Sequence, residues 1–201
     1  MIYFASPTGD VARRAISDGV LACMTTPKQG TAIRPGWQWA VDTGCYTGPL
    51  NPGLWLTYLQ RQAAHRERCV FAAVPDRVSD AVETRRLWEI WAPVVVEMGY
   101  RPAFVAQDGE TGWPDGAGVL FMGGSTAWKR GPEAWQLAHT AYLAGLWVHW
   151  GRVNSRRRFA MAALDGHSVD GTYLTYGPDV NLPRLVGWLN PLPLGGTVHP
   201  P

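Results

Sequence analysis

Short apolar segments alternate with longer segments of helical periodicity along most of the chain. The apolar segments include IYFA at 2–5, WQWAV at 37–41, CVFAAV at 69–74 and VLFMGG at 119–124. Between them lie stretches with apolar residues at helical spacing. A strand followed by a helix and another strand gives parallel pairing, because the helix returns the chain to the same end of the sheet. The alternation therefore predicts an α/β protein with a parallel sheet.

About eight strand candidates can be counted, and eight strand–helix units predict a compact α/β barrel of the (β/α)8, or TIM, type. The 201 residues of the chain stand near the lower limit of length for that fold. The other strand candidates are VLACM at 20–24, PAFVAQ at 102–107, LWVHW at 146–150 and SVDGTYL at 168–174. An open, doubly wound sheet is the alternative, and it requires one or two of these strand assignments to be wrong.

The predicted helices are bounded by capping residues and helix breakers. A helix over 79–99 would have Ser79 as its N-cap and Gly99 as its stop, with a kink or a new turn at Pro93. Other helices are predicted over 51–67, over 132–143, over 153–166 and from near Asn181 onward. Helices on the outside of a parallel sheet would shield it from water.

Composition places the chain among folded globular proteins, with 46% hydrophobic and 17% charged residues. Its length suits one domain over 1–190, followed by a Pro/Gly-rich tail at 191–201. No apolar run is long enough to cross a bilayer and the N-terminus does not resemble a secretory signal, so we expect no membrane association and a cytoplasmic location. The three cysteines are far apart and form no CxxC pair or Cys/His cluster, which predicts neither a metal site nor a disulfide framework.

Polar residues follow the predicted strands at the points where the strands end. They are Asp42, Asp76, Gln107, the pair Gly123–Gly124, His149 and Asp170. In a (β/α)8 barrel the carboxyl ends of all strands meet on one face, where such folds carry their active sites. Each residue also has a structural interpretation, since an aspartate can close a turn, a glycine pair can form one, and a histidine can pack in the core. Their coincidence on one rim favours a functional site.

Two carboxylates that face one pocket suit chemistry at the anomeric carbon of a nucleoside. One can attack C1′ and form a covalent glycosyl-enzyme, while the other transfers protons to and from the base. A third carboxylate can accept hydrogen bonds from the N–H edge of a purine-like base. A glycine pair lets a flat ring approach the backbone closely.

Five short segments, taken in chain order, carry a further signal. They are VDTGCY at 41–46, VAQDG at 105–109, FMGGS at 121–125, VHWGRVNS at 148–155 and DGHSVDGTYL at 165–174. Together they resemble the motifs of the tRNA-guanine transglycosylase superfamily. The resemblance is strongest to its DNA-acting branch, the guanine transglycosylases of 7-deazapurine DNA modification in phages and bacterial gene clusters.

The resemblance implies a role for each polar residue of the rim. Asp170 would be the nucleophile that attacks C1′, and Asp42 would be the general acid/base that deprotonates the incoming base. The guanine or 7-deazaguanine ring would be bound by Asp76, Gln107, Gly123 and Gly124. Asp165 is the alternative nucleophile, but Asp165–Gly166 is typical of a helix end, whereas a buried strand precedes Asp170.

The resemblance also implies the substrates. The Cys/His zinc site and the RNA-binding domains of the tRNA enzymes have no counterpart, so we expect no zinc subdomain and favour DNA over tRNA as the substrate, in a bacterial or phage-infected cell. The second substrate would be a free 7-deazaguanine base, such as the 7-cyano compound, and no cofactor would be needed. The net charge is only +2, but phosphates would be contacted by a local cluster, Lys129, Arg130, Arg152, Arg156, Arg157 and Arg158.

Four alternatives stay open at this point. The protein could act on tRNA after all. It could be an N-glycoside hydrolase in which water replaces the incoming base, because the covalent intermediate is common to transfer and hydrolysis. It could be a barrel that binds a modified purine or DNA without turnover. The arginine cluster could simply be a solvated helix face, and the oligomeric state is open.

Overall fold

Eight parallel strands close into a barrel in the computed structural model, which describes residues 1–48 and 50–190. Each strand pairs with the next along the chain, and the eighth pairs with the first. In order they are β1 (Ile2–Ala5), β2 (Ala22–Thr25), β3 (Trp39–Val41), β4 (Cys69–Ala73), β5 (Pro102–Ala106), β6 (Val119–Met122), β7 (Trp147–Trp150) and β8 (Ser168–Gly171). The predicted (β/α)8 barrel is confirmed, and the open-sheet alternative is wrong.

Helices cover the barrel and lie in most connections between strands, but the β2–β3 and β5–β6 connections contain none. The helices are α1 (Gly9–Ser17), α2 (Pro52–Arg61), α3 (Ala81–Glu97), α4 (Thr126–Lys129), α5 (Pro132–Leu143), α6 (Arg156–Asp165) and α7 (Pro178–Leu189). Short 3-10 helices occupy Cys45–Thr47, Ala63–Arg68 and Tyr173–Thr175. The bounds of α5 agree with the predicted helix over 132–143.

The long helix α3 differs from its prediction at the start. Its N-cap is Asp80 rather than Ser79, because the Asp80 carboxylate accepts a hydrogen bond from the Glu83 amide at 2.9 Å. Ser79 lies one residue earlier in the left-handed region, at φ 61°, and its amide donates to the Gln107 side chain. The helix continues through Pro93, so the predicted new turn at the proline does not form.

Two other helices depart from their predicted bounds. The helix predicted over 51–67 stops before Gln62, and the chain continues as a 3-10 helix. Gln62 is buried at the break, and its side-chain oxygen accepts a hydrogen bond from the Ile33 amide at 3.1 Å. The last helix begins at Pro178, three residues before Asn181, because proline suits the first turn of a helix.

The interior of the barrel is filled with side chains. Phe4, Phe71 and Phe121 from three strands pack with smaller residues such as Ala40 in one buried cluster. An eight-stranded barrel is just wide enough for such a mixture of large and small side chains. His149 lies among the same rings, with centroid distances of 4.4–5.7 Å to the three phenylalanines. This packed floor keeps water away from the lower side of the rim residues.

A buried carboxylate, paired with a partly exposed arginine, supports the loop that carries Gln107. The Glu110 side chain is 2% exposed and accepts hydrogen bonds from the Arg85 guanidinium at 2.6–3.2 Å. The Glu110 amide donates to the Gln107 carbonyl at 3.0 Å. An Arg85→Gln substitution would leave a buried carboxylate without its cation, so we expect the free energy of unfolding to fall by about 2 kcal/mol. Urea denaturation measures this change.

An Arg86→Gln variant is the matched control for that prediction. Arg86 lies on the same helix and pairs with Glu83 at 2.7 Å, but the Glu83 side chain is 35% exposed, against 2% for Glu110. Exposed pairs contribute little, so the free energy of unfolding should change by no more than about 0.5 kcal/mol. Equal losses in the two variants would show that the Arg85 pair has no special structural role.

Within the described residues, no helix combines the length and the apolar character that crossing a bilayer requires. The barrel elements run from β1 to the end of α7, inside the domain predicted over 1–190. The tail predicted at 191–201 lies outside the described residues.

Candidate active site

A cavity at the carboxyl end of the barrel holds the polar residues predicted for the site. The cavity is small, with a volume of about 60 Å³. Its lining includes both predicted catalytic residues and all predicted base-binding residues, namely Asp42, Asp170, Asp76, Gln107, Gly123 and Gly124. These residues follow or end five different strands, so closure of the barrel brings together positions that are distant in sequence.

Asp170 lies in β8 and points one carboxylate oxygen at the barrel wall. Its Oδ1 atom accepts hydrogen bonds from His149 Nε2 at 3.1 Å and from the Arg152 amide at 3.1 Å. Among the residues that the structure describes, no group forms a hydrogen bond with its Oδ2 atom. The Asp170 side chain is 17% exposed. The carboxylate is thus held in one orientation with its second oxygen available to a ligand in the cavity.

His149 connects Asp170 to a buried chain of hydrogen bonds. The Trp147 indole donates to the Ser168 hydroxyl at 2.9 Å, and Ser168 Oγ lies 2.9 Å from His149 Nδ1. If the Ser168 hydroxyl donates to Nδ1, the imidazole carries its proton on Nε2 and donates it to Asp170. The structural interpretation of His149 as a core residue is correct, since its side chain is fully buried. The contact with Asp170 shows that it also belongs to the site.

Asp42 and Asp76 lie close together at the ends of β3 and β4. The Thr43 hydroxyl donates to Asp76 Oδ1 at 3.2 Å and lies 3.4 Å from Asp42 Oδ1. Burial raises the pKa of Asp42 above its usual value; the hydrogen bond from the Gly44 amide opposes this rise and the charge of Asp170 adds to it. Burial also raises the pKa of Asp76 to about 7, with a further contribution from Asp42. The Asp76 carboxyl group can therefore exist in the protonated form near neutral pH, and the pKa of Asp42 is shifted in the same direction.

Gln107 is held by the protein at both ends of its amide. Its Nε2 atom donates to Asp76 Oδ2 at 2.7 Å, and its Oε1 atom accepts from the Ser79 amide at 2.9 Å. The Gln107 side chain is buried. In this arrangement Gln107 orients Asp76 and also satisfies the Ser79 amide.

The glycine pair after β6 is required by the protein's own packing. A Cβ atom on Gly123 would lie 2.5 Å from a Val105 methyl group, and one on Gly124 would lie 2.3 Å from the Trp128 ring. Side-chain atoms never approach this closely without rearrangement. Packing against Val105 and Trp128 is therefore enough to explain both glycines. The prediction that they let a flat ring approach the backbone stays a prediction.

The predicted basic cluster divides into buried and exposed members. The Arg152 guanidinium donates to the carbonyls of Gly123 and Gly124 and lies 4.3 Å from the Tyr46 ring, while Lys129 donates to the Gly151 carbonyl. The exposed members are Arg130, Arg156 and Arg157, and Arg158 is half-buried.

Asp165 is placed away from this cavity. It is the last residue of α6, and its Oδ1 atom lies 3.0 Å from His139 Nδ1. Helices of a (β/α)8 barrel run antiparallel to the strands, so the end of α6 lies at the opposite end of the barrel from the rim. The structure therefore favours Asp170 over Asp165 as the residue that faces a ligand.

Three residues of the site were not singled out from the sequence. Tyr46 lines the cavity and is 66% exposed, Thr43 bridges two carboxylates, and Ser168 supports His149. Tyr46 and Thr43 belong to the segment VDTGCY, so their nearness to Asp42 along the sequence could have indicated them. No sequence signal indicated Ser168, because its partner His149 is 19 residues away.

Replacing Asp76 with asparagine should make stability less dependent on pH. The folded-state pKa of Asp76, about 7, lies above its ordinary value of 3.8, so the folded protein favours the protonated form. The contribution of this pKa shift to the free energy of unfolding is fully present below about pH 4 and is lost as the pH rises through 7. The full shift corresponds to about 4 kcal/mol, and partial solvent contact reduces it, so Asp76→Asn should gain about 2 kcal/mol at pH 8 and nothing at pH 4.

Urea denaturation of the two proteins at several pH values tests this expectation. Asp115→Asn is the control, because Asp115 is exposed in a loop of the same chain. A variant at Asp76 that is less stable than the wild type at every pH would contradict the assignment of a raised pKa.

Comparison with known proteins adds no assignment to this geometry. The chain matches no model of a known protein family, and a search of curated proteins finds no match. Within residues 1–48 and 50–190, no group of three or more His, Cys, Asp or Glu side chains is arranged to hold a metal ion. The interpretation of the cavity depends on its carboxylates and their surroundings.

Proposed function

We propose that this protein is a DNA-guanine transglycosylase, which exchanges guanine in DNA for a 7-deazaguanine base such as 7-cyano-7-deazaguanine. The observation that supports this most is the presence in one cavity of three carboxyl groups with different surroundings. Asp170 is held by two hydrogen-bond donors, whereas burial raises the pKa of Asp42 and of Asp76. Carboxyl groups whose environments differ in this way can divide the roles of nucleophile and acid/base.

In the first step Asp170 attacks the anomeric carbon. Its free oxygen Oδ2 forms a bond to C1′ of a deoxyguanosine, and the bond from C1′ to guanine N9 breaks. The electron pair of that bond stays on the guanine, which takes a proton from the protonated carboxyl group of Asp42. The product is free guanine and a deoxyribose joined to Asp170 through an ester-like bond.

In the second step the incoming base reverses these events. Asp42, now ionised, takes the proton from N9 of the 7-deazaguanine base, and N9 attacks C1′. The bond from C1′ to Asp170 breaks, and the carboxylate is restored. Asp42 ends the cycle protonated, as it began.

The remaining residues of the cavity suit recognition of a flat base. Asp76, oriented by Gln107, offers a carboxyl group to the N–H edge of a purine, and the exposed Tyr46 ring offers a stacking face. A base that is stacked inside a duplex cannot enter a cavity, so the target nucleotide must leave the stack. Exposed arginines at the start of α6, Arg156 and Arg157, suit contact with phosphates.

A base-exchange assay tests the proposal. The protein is incubated with guanine-containing DNA and isotope-labelled guanine or 7-cyano-7-deazaguanine, and the digested deoxynucleosides are examined by mass spectrometry. Label in the DNA is the expected result. Release of free guanine without incorporation would identify an N-glycoside hydrolase, and incorporation into tRNA alone would make RNA the substrate. No reaction on either nucleic acid would contradict the enzymatic function.

A further inference from the structure

A second cavity adjoins the candidate active site. It shares Gly151 and Arg152 with the site, and its other lining residues come mainly from α4, α5, the end of β7 and α6. Its described lining contains four cationic residues and no acidic one, the cations being Lys129, Arg130, Arg152 and Arg158. We call it the basic cavity. A concave surface lined by charges of one sign concentrates ions of the opposite sign.

Among the described residues, the hydrogen bonds that the cations of the basic cavity donate all go to peptide carbonyl groups. Lys129 donates to the Gly151 carbonyl, and Arg158 Nη1 donates to the Arg152 carbonyl at 3.4 Å. In the described part of the chain, none of the four forms a salt bridge with an aspartate or glutamate. The four cations therefore lack a carboxylate partner within the described residues.

This concentration of positive charge has an electrostatic cost. Burial lowers the pKa of Lys129 to about 7; Arg152 and Arg158 lower it further, while Asp170 and Asp108 act in the opposite direction. In addition, α6 begins with three arginines, at 156–158. The N-terminal end of a helix carries partial positive charge, so cations are unfavourable there. An anion in the cavity would relieve both effects.

We propose that the basic cavity binds a phosphate group of the substrate. Guanidinium groups form paired hydrogen bonds with phosphate oxygens, and a phosphate would supply the negative charge that the lining of the cavity lacks. Because the cavity shares Gly151 and Arg152 with the candidate site, the bound phosphate would be next to the nucleoside whose C1′ faces Asp170. That placement depends on the proposed function, whereas the anion site itself depends only on the charges of the cavity. The phosphate could belong to a nucleic-acid chain or to a free nucleotide.

Titration with inorganic phosphate tests the anion site directly. Wild-type protein at low ionic strength should bind phosphate with saturation in isothermal titration calorimetry. A double variant, Arg130→Gln with Arg158→Gln, should bind it about tenfold more weakly or worse, because two donors of the site are removed. Absence of saturable binding by the wild type, or equal affinity of the double variant, would overturn the proposal.

A charge-matched control separates a site from general attraction. The double variant Arg14→Gln with Arg68→Gln loses the same charge from exposed positions at the other end of the barrel. Its phosphate affinity should stay within about twofold of the wild type, since the Debye length limits attraction at that distance. If the control variant lost as much affinity, the effect would come from net charge alone, and this would contradict a defined site.

Melting temperature distinguishes a binding role from a structural one. Without phosphate, the Arg130→Gln and Arg158→Gln variant should melt no lower than the wild type, because mutual repulsion of the cations is relieved. With phosphate, the wild type should gain more in melting temperature than the variant. If the variant melts at a lower temperature and gains as much in melting temperature from phosphate as the wild type, these arginines stabilise the fold and do not bind the anion.

Competition experiments identify the source of the phosphate and separate the two proposals. Deoxyguanosine monophosphate and the deoxytrinucleotide TpGpT are each compared with deoxyguanosine for displacement of inorganic phosphate. Stronger displacement by the trinucleotide assigns the cavity to a nucleic-acid chain, and stronger displacement by the monophosphate assigns it to a nucleotide. Displacement by neither would contradict a substrate phosphate in this place. Phosphate binding without base exchange would refute only the transglycosylase, and exchange without phosphate binding would refute only the anion site.

Discussion

An Asp170→Asn variant should lose base exchange by a factor of about 10⁴ or more. An amide oxygen is a far weaker nucleophile than a carboxylate, and loss of a nucleophile commonly has an effect of this size. The substitution preserves shape, since the amide oxygen can still accept the hydrogen bonds from His149 Nε2 and the Arg152 amide. The initial rate of label incorporation into DNA measures the loss.

The covalent intermediate offers a second readout of the same variant. Wild-type protein stopped during turnover should show the mass of attached DNA in denaturing mass spectrometry, and the Asp170→Asn protein should not. Asp165→Asn is the matched control, because Asp165 is the same residue type five positions earlier and lies at the end of α6. It should retain the wild-type rate and the adduct. The reverse pattern, with loss at Asp165 and activity at Asp170, would identify the other carboxylate as the nucleophile.

An Asp42→Asn variant should lose about 10²- to 10⁴-fold in exchange rate at a saturating concentration of free base. General acid–base catalysis contributes an effect of this size, and asparagine can neither give nor take the proton. Burial and the charge of Asp170 raise the pKa of Asp42, which brings its ionisation closer to the working pH. The protonated form is needed to release guanine and the ionised form to accept the new base, so the wild-type rate should fall on both sides of an optimum.

Comparison with Asp76→Asn separates proton transfer from binding. Gln107 orients Asp76, which binds the edge of the base in the proposed function, so its loss should raise KM for the free base more than it lowers kcat. The Asp42→Asn variant should show the opposite, with a lower kcat and a flattened pH profile. Rates within about threefold of the wild type for Asp42→Asn at all pH values would exclude it as the acid/base.

The architecture of the barrel was predictable because strand and helix patterns are local. Apolar runs bounded by Gly, Pro and Asp residues indicated eight strands, and eight parallel strands with crossover helices close into one barrel. The order of the strands then follows from the short connections. For the same reason the rim could be predicted, since a residue that follows a strand must lie at its carboxyl end.

Helix ends were less predictable where distant residues decide them. Asp80 and Ser79 are both residue types that favour the N-cap position. The choice between them depends on Gln107, which lies 28 residues after Ser79 and whose side chain accepts a hydrogen bond from the Ser79 amide. Gln62 stops α2 in a similar way through its bond to the Ile33 amide. A sequence pattern describes neighbours along the chain and contains no information on such partners.

The sequence alone established the fold class and the positions of Asp42, Asp76 and Asp170 at strand ends, because both follow from the alternation of short-range patterns. The tertiary structure decided what each carboxylate meets. His149 reaches Asp170 across 21 residues, Thr43 reaches Asp76 across 33, and Lys129 is buried beside Arg152. Hydrogen bonding and desolvation depend on distance through space, and these two quantities determine which group can act as nucleophile, as acid or as anion ligand.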